Sequence, residues 1–275
     1  MNLEGAVAIL TGASRGIGAV LAEHLARKNV TLVLAARSKD DLELTAERVR
    51  SLGGRAVAVP TDVSDAGQLH ALFDAATTEF GHVDLLVNNA GIECAGYSDK
   101  LELDQIERTI RTNLTSLIEL TTIVIPHMIE RGRGHVCNIA SVAGKVARPY
   151  STVYAASKHG VVGYSWSLRA ELQPRHVEVT VVCPGYVSDV GMFADRSGKF
   201  DVPAPPRGLS AVSPARVARE TIEAIEKNRP ETIVGPAMMK IADVVHALSP
   251  QFAIDFGRRS GTHDYLRREA TGDRS

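Results

Sequence analysis

Seven short apolar runs, each bounded by turn residues and separated by longer amphipathic stretches, constrain this chain more than any other feature. The runs occupy residues 7–10, 31–35, 56–59, 85–87, 135–139, 177–182 and 232–234. They are continuous rather than alternating in polarity, as strands of a parallel sheet must be when both faces are covered. Helical patterns fill most of the intervals, at 17–28, 40–52, 66–80, 103–130 and 154–172, with Pro126 expected to kink the fourth near its end. The expectation is an α/β protein whose mostly seven-stranded parallel sheet carries helices on both faces. At 275 residues the chain can bury a large core without staples, and a single domain over residues 1–257 is expected. A charged, partly mobile tail is expected over 258–275.

Composition narrows the function classes. Lys plus Arg number 31 against 32 Asp plus Glu, a net charge of −1, and aromatics make up 5%. Neither a basic surface for nucleic acid nor an aromatic platform for bases is present, so no nucleic-acid partner is expected. Three cysteines at wide spacing, Cys94, Cys137 and Cys183, fit neither a disulfide framework nor a metal site, and no metal is expected. The first residues, MNLEGAVAILTGAS, lack a basic leader, and their apolar run is too short to span a bilayer, so a cytoplasmic location is expected. Residues 238–248 and 252–256 form a late apolar stretch. Packing on the core or on a subunit partner is expected there in preference to a membrane.

Directly after the first apolar run stands TGASRGIG, residues 11–18. A strand leading through glycines into a helix exposes unpaired N–H groups and admits a phosphate to close range. Gly12, Ser14, Arg15, Gly16, Ile17 and Gly18 are therefore candidate cofactor contacts, a plain tight turn being the alternative. At the end of the second run the sequence reads LAARS. An acid there would accept from a ribose hydroxyl, but Ala36 occupies the place and Arg37 and Ser38 follow. Two guanidiniums, Arg15 and Arg37, suit a 2′-phosphate, which favours NADP(H) over NAD(H).

VYAASKHG, residues 153–160, puts Tyr154 and Lys158 four residues apart on one helical face with small residues between them. A phenol titrates near pH 10, too high for proton exchange near neutrality, and an adjacent ammonium favours the phenolate. With Ser141 thirteen residues upstream as a hydrogen-bond donor, the set suits proton transfer to or from an oxygen on carbon.

Taken in order, TGASRGIG, Asp62-Val63, NNAG at 88–91, Ser141, YAASK at 154–158 and Pro184-Gly185 resemble the short-chain dehydrogenase/reductase family, over roughly residues 6–235. The resemblance implies a Rossmann-type doubly wound fold and an oxidoreductase. It further implies that Asp62, with Val63, lies at the adenine, and that Asn89, Ala90 and Gly91 line the adenosine side. Pro184, Gly185, Val187 and Ser188 would meet the nicotinamide. Asn113 would hold a water behind Lys158, and Lys158, beside Tyr154, would also bond the nicotinamide ribose. Asp189 stands where the family commonly has a threonine bonding the carboxamide, with Ser188 as a substitute from the next position. A homodimer or homotetramer is implied, built through the helices at 103–130 and 154–172.

The substrate side is expected to be apolar, with Ile92, Tyr150, Tyr186 and Met192 joining Ser141 and Tyr154 and a substrate loop at about 188–209. Arg148 and Lys199 are possible receivers of an acidic group. The expected activity is reduction of a lipophilic ketone or aldehyde, or oxidation of a secondary alcohol. The alternatives are a 3-oxoacyl-(carrier protein) reductase and, outside catalysis, an NADP-binding redox sensor without turnover.

Overall fold

The computed structural model describes residues 1–188 and 210–272. The expectations for Asp189, Met192, Lys199 and the 189–209 part of the substrate loop lie outside the described residues. All seven apolar runs are strands of one parallel sheet: β1 Val7–Thr11, β2 Thr31–Ala36, β3 Ala56–Pro60, β4 Leu85–Asn88, β5 Gly134–Ile139, β6 Val177–Pro184 and β7 Glu231–Val234. Their order is β3-β2-β1-β4-β5-β6-β7, with every pairing parallel. β1 pairs with β2 on one side and β4 on the other, so the winding reverses there. Ala8 sits in register with Leu32 and Leu85 across that point. In open parallel sheets such a switch leaves a crevice at the carboxyl ends of the strands.

The two-residue period of the pleat divides the strands between two cores. Leu10, Leu32 and Leu34 pack on one face with Leu21, Leu25 and Ile222. Ile9, Val33 and Leu86 face the other way, onto Leu69, Leu72, Leu120 and Val124. The first face is covered by α1 (Gly16–Ala26), α2 (Lys39–Ser51) and α7 (Pro214–Glu226), the second by α3 (Ala66–Phe80), α5 (Ser116–Glu130) and α6 (Thr152–Leu172). Local chemistry sets the helix ends. Asp65 accepts from the amides of Gly67 and Gln68 at 2.8 and 3.2 Å to start α3. Gly81, at φ 78°, ends it in the left-handed conformation that a glycine adopts without strain.

Two expectations for the helices need correction. The stretch 103–130 is not one regular helix. It divides into α4 (Leu103–Ile110) and α5, joined by a wider π turn over Arg111–Thr115 that carries the buried Asn113. α5 then runs through Pro126 to Glu130. The tail is also more ordered than its charge suggests. After α8 (Ala237–Leu248) and α9 (Pro250–Arg259) comes α10 (Thr262–Thr271), which buries Tyr265, Leu266, Glu269 and Ala270. The spacing of those four residues puts them on one face, and the carboxylate among them has a guanidinium partner, described below. Among the described residues no helix is long and apolar enough to cross a membrane.

Candidate active site

The glycine turn after β1 is shaped by two positive-φ glycines, Gly12 at 65° and Gly16 at 63°. A Cβ on Gly12 would lie 2.8 Å from the Cα of Ala90, so only glycine lets the turn approach the β4 exit. One on Gly18 would strike the Gly12 carbonyl oxygen and come within 2.7 Å of Asn89 Nδ2. Gly18 thus keeps α1 tight against the turn, and it does not line the cavity as Gly12 and Gly16 do. Asn89 staples the two strand exits: its Nδ2 donates to the carbonyls of Thr11 and Gly12 at 2.9 and 3.1 Å. Thr11 Oγ1 accepts from the amides of Asn89 and Ala90 at 3.0 and 3.1 Å. Thr11 opens TGASRGIG, but its role was hidden in the sequence because its partners, Asn89 and Ala90, lie 78 and 79 positions away.

From this turn a cavity of about 1720 Å³ runs along the carboxyl ends of the strands, larger than the ~300–1,000 Å³ of an ordinary single-ligand pocket. Its walls include Ser14, Arg15 and Ile17, then Arg37, Ser38, Asp62 and Val63, and farther on Asn89, Ala90, Gly91 and Ile92. Arg15 and Arg37 are exposed at its edge. Ser38 caps α2 by accepting from the Asp41 amide at 3.4 Å. Asp62 accepts from the amide and hydroxyl of Ser64 at 2.9 and 2.7 Å. Burial alone would raise its pKa, but those two bonds and the charge of Arg37 outweigh that effect and hold it below the ordinary value.

The far end of the cavity holds Ser141, Tyr154 and Lys158 together with Pro184, Gly185, Tyr186 and Val187. Tyr154 and Lys158 are 8% and 4% exposed, and the ammonium lies 5.8 Å from the centre of the Tyr154 ring. Lys158 Nζ donates to the Ile139 carbonyl at 2.9 Å. Burial lowers its pKa to about 8, so the ammonium persists at neutral pH with little margin. A Cβ on Gly91 would press on Asn113 Oδ1 at 3.3 Å while making only an ordinary 3.6 Å contact with Lys158 Nζ. Ser141 Oγ accepts from the Ala143 amide at 3.1 Å and makes a long 3.5 Å contact to the Pro184 carbonyl.

Asn113 stands behind this group, outside the cavity wall. Its amide clasps Ile92, accepting from the backbone N–H and donating to the carbonyl, both at 2.8 Å. The same Nδ2 reaches Ser157 Oγ at 3.1 Å, and Ser157 donates to the Tyr154 carbonyl at 2.7 Å. The π turn therefore connects the β4 exit to the helix bearing Tyr154 and Lys158. Ser157, in the middle of YAASK, passed in the sequence for a spacer.

Several expected contacts are not brought to the cavity. Ser188 donates to the Val212 carbonyl at 3.4 Å and is absent from the wall, its strand-like backbone being engaged with Val212. Tyr150 has φ 63° and turns its ring edge-on to Tyr97 at 5.5 Å, also outside the wall. Arg148 does line the cavity but is not waiting for an acidic ligand. Its Nη2 meets Glu269 and Glu93 at 3.0 and 3.4 Å, and its Nη1 donates to the Tyr186 hydroxyl at 2.8 Å. Burial works against its charge, but Tyr186, Glu93 and Glu269 together raise its pKa above the ordinary value. Glu93 and Glu269 carried no signal in the sequence, because they lie 176 positions apart and only the fold brings them to one guanidinium.

A doubly wound parallel sheet with a glycine turn at the switch point and a Tyr/Lys pair at the far end of the same crevice defines a dinucleotide-dependent oxidoreductase. The comparisons agree. The sequence matches the short chain dehydrogenase family over residues 6–199. It is 38% identical over 275 residues to the ketoacyl reductase HetN of Nostoc sp., spanning 98% of this chain and 94% of that protein. A substituted form of actinorhodin polyketide ketoreductase, solved with NADPH, is similar with a TM-score of 0.79 at 31% identity, over 86% of this chain and 97% of that one. A short chain dehydrogenase/reductase from Burkholderia phymatum, solved with NAD, gives 0.82 at 29% identity, over 92% and 96%. This chain belongs to the short-chain dehydrogenase/reductase family and is an oxidoreductase acting on CH–OH or C=O groups with a nicotinamide cofactor.

Proposed function

We propose that this enzyme reduces a lipophilic ketone or aldehyde, or oxidises the matching secondary alcohol, with NADP(H) and with Tyr154 as the acid/base. The observation that carries the reading is that Ser141, Tyr154 and Lys158 share one cavity with the glycine turn and Arg37. The residues suit the cofactor: Gly12 and Gly16 open the backbone to a pyrophosphate, and Gly91 lines the same cavity as Lys158. When bound, the nicotinamide supplies or accepts the hydride. In the reducing direction Tyr154 gives its proton to the carbonyl oxygen, and Ser141 Oγ donates a hydrogen bond to that oxygen as charge builds. Lys158 favours the phenolate left behind. Asn113 holds the Tyr154 helix at its distance from the β4 exit through Ile92 and Ser157.

Ala36 at the ribose position and the cations Arg15 and Arg37 at the cavity edge support NADP(H) over NAD(H). The two structural neighbours were solved with different dinucleotides, so the local residues carry this choice. Ile92, Val146, Tyr186 and Leu266 in the wall support an apolar substrate. The names of the Nostoc and actinorhodin relatives favour a second reading, a 3-oxoacyl thioester as substrate. Following NADPH and NADH oxidation over a panel of ketones, aldehydes and 3-oxoacyl thioesters tests both. Turnover of free lipophilic ketones with NADPH is expected. Turnover confined to carrier-bound thioesters selects the second reading, and no turnover on any member contradicts both.

A further inference from the structure

We propose that the α8–α9 hairpin is a docking surface for an anionic phospholipid bilayer. Seven of the eleven large hydrophobic side chains exposed among the described residues fall within it: Met238, Ile241, Val244 and Leu248 on α8, and Phe252, Ile254 and Phe256 on α9. On α8 they recur every three or four residues and form one outward stripe. Phe252 and Phe256, 60% and 63% exposed, stack at 6.4 Å. A contiguous apolar surface of this kind on a folded protein marks an interaction site.

The hairpin is not core that happens to be open. α9 has no buried residue, and α8 buries Met239 alone, whose sulfur fills the space beside Gly185 and Gly235. Of the two expected ways of covering this stretch, the core or a subunit partner, packing on the core holds for Met239 alone. At 12 and 10 residues, both helices are far shorter than the ~20 needed to span a bilayer. They suit lying in its interface.

Charge and position select the occupant. Asp255 pairs with Arg258 at 3.0 Å, and Lys145 is shared between Glu231 at 3.1 Å and Asp243 at 3.6 Å, so Lys240, Arg258 and Arg259 against Asp243 and Asp255 leave the hairpin a net charge of +1. An anionic headgroup layer complements that excess, and long basic side chains can reach headgroups while their stems stay on apolar surface. Met238, Ile241, Phe252, Ile254 and Phe256 also line the mouth of the active-site cavity. A second copy seated on this face would cover the mouth. A bilayer would open it onto a lipid phase from which a lipophilic substrate can enter. The choice of a bilayer over a second copy rests on the proposed function, since only a cavity that takes substrate needs an open mouth, whereas the flotation test does not.

The test is flotation of the full chain with vesicles of phosphatidylcholine containing phosphatidylglycerol, which requires no turnover. Wild-type protein is expected to rise with the vesicles, less on pure phosphatidylcholine or in high salt. F252S/F256S should lower the bound fraction at least about tenfold, as expected for two aromatic side chains withdrawn from an apolar phase. Its melting temperature should stay near that of wild type. V244S/L248S, outside the cavity wall, serves as a second variant and should show the same loss if the first does not fold. Wild-type protein that stays at the bottom of the gradient, or folded variants that float as well as wild type, overturns the proposal. So does light scattering in which F252S/F256S splits a larger assembly whose wild-type form ignores vesicles, because the face is then an interface between copies.

Discussion

The ammonium of Lys158 lies 5.8 Å from the centre of the Tyr154 ring and is held there by a 2.9 Å bond to the Ile139 carbonyl at the end of β5. The helical i, i+4 spacing points both side chains the same way, and the strand end fixes how far the lysine can move. The phenol therefore faces a cation that has been stripped of most of its water. The arrangement is useful for chemistry and costly for stability.

That cost is measurable through Lys158→Met. The lysine titrates near 8 in the folded protein against 10.5 for the free side chain. Below pH 8 it is charged in both states and its burial is unfavourable. As pH rises from 8 to 10.5 the folded state has released the proton while the unfolded chain still binds it, so stability from this group returns. Lys158→Met is expected to be more stable than wild type at pH 7, by up to about 3 kcal/mol from a shift of that size. The gap should close as pH rises toward 10.5, and turnover should be lost. Denaturant unfolding of both proteins across that range checks the sign; a variant less stable than wild type at pH 7 would count against a strained lysine.

Arg37→Asp tests the choice of dinucleotide. Replacing a charge-assisted contact to a 2′-phosphate with a carboxylate should raise the NADPH dissociation constant by about 10- to 100-fold, while NADH binding holds or improves. Fluorescence titration with each nucleotide reads this directly. Equal affinity for NADPH in variant and wild type would leave Arg37 a solvated surface charge.

Arg148 is predicted to be structural. It neutralises Glu93 and Glu269 at 3.4 and 3.0 Å, joining α10 to the cavity wall. Arg148→Met leaves two buried carboxylates facing each other, and a loss of about 3–5 kcal/mol is expected near neutral pH. Because a carboxylic acid tolerates burial better than a carboxylate, the deficit should shrink as pH is lowered toward 5. Melting curves at the two pH values decide it, and a deficit independent of pH would show that packing rather than charge is lost.

How far the sequence disclosed this molecule depends on the range of the signal. All seven strands were legible because each is a continuous apolar run, even the largely half-buried β3, and the motifs were legible because most lie at a strand exit while YAASK carries its signal in helical spacing. α7 went unread although Ser213 and Pro214 give it an ordinary start and Val217, Thr221 and Ile225 a buried face. Its apolar period is spread among charges and follows a loop-like stretch. Asn113 was named, but the π turn that aims it at Ile92 and Ser157 has no local pattern of its own. The Glu93–Arg148–Glu269 cluster and the departure of Tyr150 from the cavity arise from tertiary packing between distant segments, which no local period encodes. The same holds for the ordered α10, whose charge alone suggested a solvated tail.

The central claim is that the Tyr154 hydroxyl moves the proton, and Tyr154→Phe removes that oxygen while keeping the ring. Paired measurement of kcat and of the NADPH dissociation constant for this variant tests the claim most directly. The account predicts a fall in kcat of about 10²–10⁴-fold, the usual contribution of a positioned acid/base, with nucleotide affinity changed by less than about threefold. Turnover retained at the wild-type rate would contradict it.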